Sequence, residues 1–134
     1  VLSQKYNVLK TPGNLNGQIG MPLSILHLKD EEVMVLEMGM NDFGHIEKLT
    51  RVAKPTIGVI TNIGTAHIGI LGSRENILKA KLEILHGMKA GSQLVINYDN
   101  DLLSKLDLPD YEIHTCGIQS ESEYQGGEIE IHIS

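Results

Sequence analysis

Three clusters in this 134-residue sequence carry more chemistry than packing alone requires. Glu37 stands in VLEMGMND, at the end of a run otherwise made of Val, Leu and Met, with Gly39, Asn41 and Asp42 just after it. A carboxylate at such a strand end suits Mg²⁺, which takes one or two carboxylates and completes its shell with phosphate oxygens and water. A solvated strand end or a helix-capping acid would place the same residue there. In TNIGTAHIG, Asn62 and His67 flank a Gly-containing loop whose backbone can approach a phosphate or a metal closely. A loop histidine also serves as a plain surface or hydrogen-bonded residue.

The third cluster is helical. On a helix after Ser73, residues Ile77, Leu78, Ile84, Leu85 and Met88 form one apolar arc, and at about 100° per residue Lys81 falls in its middle. Glu75, Lys79, Glu83 and His86 lie on the opposite side. An ammonium buried without a partner is costly, so Lys81 must snorkel outward, pair with a carboxylate or change its charge by modification. Lys79 is solvated on this geometry and follows Glu75 by four residues, a spacing that allows a weak ion pair. A further segment, TPGNLNGQIGMP, is rich in turn formers, and its Asn14 and Asn16 can donate to a ligand oxygen or simply shape the turn.

The elements that must position these residues alternate. Apolar runs bounded by turn residues predict strands at residues 6–10, 33–38, 56–62, 93–98 and 111–116, separated by helical stretches near 22–28, 43–52, 75–88 and 101–106. Strand–helix alternation marks βαβ units, hence an α/β fold with a mostly parallel sheet flanked by helices. The runs at 33–38 and 56–62 are apolar on both faces and are expected at the heart of the sheet. In such sheets ligands bind beyond the carboxyl ends of the strands, where Glu37 and the Asn62–His67 loop fall. The tail after residue 117 is polar and then alternates strictly in EIEIHIS, which predicts an edge strand. Val1-Leu2-Ser3 reads as the last turn of a helix already under way.

Composition excludes several classes. Eleven Lys and Arg against seventeen Asp and Glu give a net charge of -6, which disfavours nucleic acid and anionic membranes as partners. No apolar stretch approaches the roughly 18 residues of a spanning helix. The lone Cys116 rules out an internal disulfide framework or a zinc ribbon and fits a reducing compartment. No G-x-x-x-x-G-K-[ST] or G-x-G-x-x-G phosphate cradle occurs in these residues.

In order and spacing, TPGNLNGQIGMPLSIL, VLEMGMNDFGHIEKL, PTIGVITNIGTAHIGILGS and ILKAKLEIL resemble the central domain of the Mur ligases, over residues 1 to about 101. The EMGMND and NLN-x-x-IG-x-P forms are most similar to the branch that adds D-Ala-D-Ala. The resemblance implies part of a phosphate-loop-type ATP-binding domain, lacking the phosphate loop itself and the N- and C-terminal domains. With the strand that leads into that loop absent, its sheet neighbours would be uncovered. The implied parent is a cytoplasmic enzyme of peptidoglycan synthesis: ATP phosphorylates the terminal carboxylate of UDP-N-acetylmuramoyl-tripeptide, and the amine of D-Ala-D-Ala attacks the acyl phosphate.

Carried over by motif, Glu37 would bind the Mg²⁺ that accompanies ATP and His67 a second Mg²⁺. Lys81 matches the family lysine that is carbamylated to support that second metal, Asn62 sits beside the metal site, and Asn14 and Asn16 fall where the family contacts the muramoyl substrate. The chain alone is expected to be inactive. A sister ligase adding a single amino acid, or a stand-alone non-catalytic α/β binding or scaffold domain, would share these motifs. Oligomeric state is left open.

Overall fold

Six short strands alternate with helices and 3-10 turns along residues 1–128, the part of the chain that the computed structural model describes. Strands β1 (Val8–Lys10) and β2 (Val33–Val35) pair in parallel, with Val8 opposite Val33. Strands β3 (Ile57–Ile60), β4 (Gln93–Asn97), β5 (Glu112–Gly117) and β6 (Tyr124–Gln125) form a second sheet in that spatial order, again all parallel. Helices α1 (Gly20–Ile25), α2 (His45–Ala53), α3 (Ile68–Leu71) and α4 (Arg74–Leu82) fill the connections. This is the α/β architecture that the alternation predicts.

The expected central strands are a correction. β2 pairs only with β1, and β3 is an edge of its sheet, with Gly58 and Ile60 buried while Ile57 and Val59 are more than half exposed. The middle positions belong to β4, with Leu94 and Ile96 buried, and to β5. Apolar residues on both faces show that a strand tolerates cover on both sides, but they do not specify which strand lies beside it. Among the described residues no strand is hydrogen-bonded between β2 and β3. β1 ends where Pro12 removes a donor, its ladder closing on the Thr11 N–H to Val35 carbonyl bond at 3.0 Å.

Helix α4 begins on Ser73, whose hydroxyl accepts the Asn76 N–H at 3.2 Å, as a capping serine should. The predicted single helix over 75–88 is α-helical to Leu82 and then tightens into a 3-10 turn, Glu83–Gly87. The tightening swings Glu83, expected on the solvated face, into a buried position under α2. There its carboxylate accepts the Gly44 N–H at 2.7 Å and the Glu47 N–H at 3.2 Å. These are two of the orphan donors at the start of α2, which has no side-chain cap of its own. Thr50 completes the contact by donating its hydroxyl to the Ile84 carbonyl at 2.7 Å.

The other predicted helix, 101–106, is only a 3-10 turn, Leu103–Lys105, because the Asn100 side chain takes the N–H groups of Leu102 and Leu103. In the tail, β6 adds to β5 within the polar stretch. Asp99 closes the turn before it by accepting N–H bonds from Ile118 and Ser120, both at 2.7 Å, and these bonds hold its carboxyl below the usual range. The alternating run after residue 128 lies outside the described residues.

The core joins Ile46 of α2, Ile60, Leu94 and Ile96 of the sheet, Ile77 and Ala80 of α4, and Leu103. Each of these buried Ile and Leu side chains stabilises the fold by about 1.5–3 kcal/mol. Gly87 sits against the end of α2 so closely that an added Cβ would meet the Thr50 backbone carbonyl. Gly87→Ala is therefore expected to cost about 1–3 kcal/mol through overpacking, read as a lower thermal unfolding midpoint. An unchanged midpoint would mean that the Glu83–Gly87 turn does not bear on α2 as described.

Candidate functional site

The loops at the carboxyl ends of β1, β2 and β3 and one face of α4 enclose an open cavity of about 760 Å³. The first loop contributes Asn14, Asn16 and Gln18, the second Glu37, Gly39 and Asn41, and α2 begins with His45. Gly64, Ala66 and His67 come from the β3 loop, and Ile77 and Lys81 from α4. Five of the six residues singled out in the sequence, Glu37, His67, Lys81, Asn14 and Asn16, thus line one cavity.

Asn62 does not line it. Its side-chain oxygen accepts a hydrogen bond from Asn100 at 2.8 Å, and its backbone carbonyl accepts one from Lys81 Nζ at 2.7 Å. Of the fates open to Lys81, the ammonium takes a backbone partner instead of a carboxylate, and no salt bridge joins it to Glu37 among the described residues. Burial pushes the Lys81 pKa below its ordinary range. Lys79 lies over the Phe43 ring, 5.7 Å from its centre, rather than pairing with Glu75.

Glu37 is held twice. Its N–H donates to Thr11 Oγ1 at 2.9 Å and its Oε1 accepts from Asn16 Nδ2 at 2.7 Å, while Oε2 has no partner among the described residues. His67 is exposed, stands at the N-cap position of α3 without a side-chain capping bond and has a left-handed backbone, with φ of 66°. Histidine tolerates that region better than most residues, and such conformations cluster at binding sites. The His45 imidazole accepts the Asn41 N–H through Nδ1 at 3.3 Å, so in the neutral ring Nε2 carries the proton.

The chain matches the Mur ligase middle domain over residues 1–133. It belongs to the Mur ligase family. It is 44% identical to the UDP-N-acetylmuramoyl-tripeptide–D-alanyl-D-alanine ligase of Bacillus subtilis over 93% of this chain and 27% of that protein. The enzyme of the same name from Synechocystis is 49% identical over 77% of this chain and 23% of the relative. Among solved structures, MurF from Thermotoga maritima in complex with ADP superposes with a TM-score of 0.81 and 38% identity, covering 89% of this chain and 28% of that one. A MurF structure from Acinetobacter baumannii gives a TM-score of 0.80 at 32% identity, over 87% and 26%. The chain spans about a quarter of the length of the relatives it matches.

For a Mur ligase domain the donor set suits Mg²⁺ brought in with phosphates. Among the described residues no three His, Cys, Asp or Glu side chains gather into a metal cage. Mg²⁺ seldom uses one; a carboxylate with a free oxygen, such as Glu37, together with phosphate and water, is its usual shell. No described helix is long and apolar enough to cross a membrane.

Sequence reasoning passed over Asn100 and Arg74, which hold the β3 loop from behind. Asn100 lies in the turn after β4, so the strand-end rule could have found it; Arg74 donates Nη2 to the Ile63 carbonyl at 2.9 Å and Nη1 to Asp101 at 3.0 Å, a tertiary contact with no local signature. Asn100 is buried and also reaches the Ile63 carbonyl, at 3.3 Å. Asn100→Ala is expected to lower stability by about 1–3 kcal/mol in chemical denaturation, since it strips these acceptors of a donor. Denaturation indistinguishable from wild type would show that the loop is held by Arg74 and Lys81 alone.

Proposed function

We propose that the chain is part of the ATP-binding central domain of a cytoplasmic ligase that joins D-Ala-D-Ala to UDP-N-acetylmuramoyl-tripeptide during peptidoglycan synthesis. The observation that carries this reading is the gathering of Glu37, His67 and Lys81 around one cavity at the strand ends, in a chain similar to relatives named for that reaction. The remaining machinery, the phosphate loop and two flanking domains, belongs to the rest of the protein. The bound ADP of the Thermotoga MurF supports ATP as the phosphoryl donor. The γ-phosphoryl passes to the terminal carboxylate of the tripeptide, releasing ADP. The amine of D-Ala-D-Ala then displaces phosphate, forming the amide and shedding a proton.

Each side chain has a defined task in this scheme. Glu37 would hold the Mg²⁺ that accompanies ATP and His67 a second Mg²⁺, and these metals would neutralise charge on the phosphoryl group in transfer. Lys81, held by the Asn62 carbonyl, would release its ammonium proton, add CO₂ through the free amine and shed a second proton, becoming a carbamate that would support the second metal. Asn14 orients the muramoyl substrate from the first loop.

The full-length protein is expected to release phosphate from ATP only when both UDP-N-acetylmuramoyl-tripeptide and D-Ala-D-Ala are supplied. Equal turnover with a single amino acid would move the chain to a sister ligase, and no turnover at all would favour a binding or scaffold role. Lys81→Ala should cut turnover at least about tenfold, the effect of losing a group that supports a metal, with partial recovery on adding a short carboxylic acid. Full activity in Lys81→Ala would reduce Lys81 to a structural anchor for the β3 loop.

A further inference from the structure

Asn16 lies in the segment where the family meets its muramoyl substrate, yet in this structure its amide is spent on Glu37. Resting on the ligase reading above, we infer that Asn16 is a positioning residue for the metal carboxylate: it holds Glu37 Oε1 so that Oε2 is the oxygen offered to Mg²⁺. Four contacts carry this. The Asn16 side chain donates to Oε1 at 2.7 Å. Its backbone is clamped at both ends, its N–H donating to the Asn14 carbonyl at 2.8 Å and its carbonyl accepting the Gly39 N–H at 2.9 Å. Thr11, at the start of the same loop, fixes the Glu37 backbone by accepting its N–H at 2.9 Å. Gly39 leaves the room that the arrangement needs, because a Cβ there would stand 2.9 Å from both Cγ and Oδ1 of Asn16.

The chemistry of the pair points the same way. Carboxylates that bind metals are themselves oriented by hydrogen-bonded partners, whose loss weakens metal binding without removing a ligand. An amide suits that role at Glu37, since it orients the carboxylate without bringing the positive charge with which Lys or Arg would oppose the metal. The contact also joins two ligand sites: the first loop carries Asn14 and Asn16, and the loop after β2 carries Glu37. A muramoyl substrate that orders the loop thereby orders the metal carboxylate, and by linkage metal binding favours the substrate-ready loop.

The test uses the full-length protein with Mn²⁺ as a paramagnetic probe in place of Mg²⁺, titrated by electron paramagnetic resonance with a non-hydrolysable ATP analogue present. Asn16→Ala is expected to weaken Mn²⁺ binding about 10–100-fold. Gly39→Ala should weaken it in the same direction by displacing the Asn16 side chain, with the amide still in the sequence. Circular dichroism of both variants should match wild type. An unchanged Mn²⁺ affinity in Asn16→Ala, with only the KM for UDP-N-acetylmuramoyl-tripeptide raised, would overturn the inference and make Asn16 a direct substrate contact. Wild-type protein that binds Mn²⁺ with the nucleotide but forms no amide would sink the ligase reading instead, while a loss of affinity in the two variants would still support Asn16 as the positioner of Glu37.

Discussion

One hydrogen bond sets the frame of the site: the Lys81 ammonium donates to the Asn62 carbonyl at the end of β3. A half-buried ammonium must find an acceptor, and the nearest one ties helix α4 to the strand-end loop. That loop is gripped from its other side by Asn100 and Arg74, so the segment leading to His67 is held on both flanks. Two residues further along, Glu83 turns to another face and caps α2. The start of α2, with His45 and the Asn41 turn, is therefore referenced to the same helix turn that places Lys81.

The opposite wall of the cavity is built on a different principle. A loop rich in Asn, Gly and Pro is fastened to the segment after β2 by Thr11 and Asn16. Both fastenings converge on Glu37. The cavity thus sets a carboxylate oriented by neutral donors against a lysine whose pKa burial lowers. Glu37 and Lys81 face a common space without pairing with each other, which leaves the Glu37 carboxylate for a divalent cation that arrives with phosphates.

Much of this was legible in the sequence, and for physical reasons. Strand–helix alternation specified the parallel α/β fold, and the rule that ligands sit beyond strand ends brought Glu37 and His67 to one place. Lys81 stood out because an ammonium on an apolar arc breaks the helical pattern. What stayed hidden depends on contacts between distant segments. Periodicity shows that the runs at 33–38 and 56–62 are apolar, not that their outer edges lie open. It could not show that α4 would tighten at Glu83 and bury a carboxylate, because the acceptor's partners are N–H groups of α2. Nor could it show that the Asn62 side chain would turn to Asn100, or that Gly39 is needed to make room for Asn16.

On the proposed reading, Glu37, oriented from the first loop, and Lys81, anchored to the β3 loop, would address the metals of one Mg²⁺-nucleotide site. A crystal structure of the full-length protein with Mg²⁺ and a non-hydrolysable ATP analogue tests it most directly. The account predicts Mg²⁺ at about 2.0–2.1 Å from a Glu37 carboxylate oxygen, with Asn16 on the other oxygen, and additional density on Lys81 Nζ. A metal bound to the phosphates with Glu37 turned away from the cavity, and a bare lysine at position 81, would contradict it.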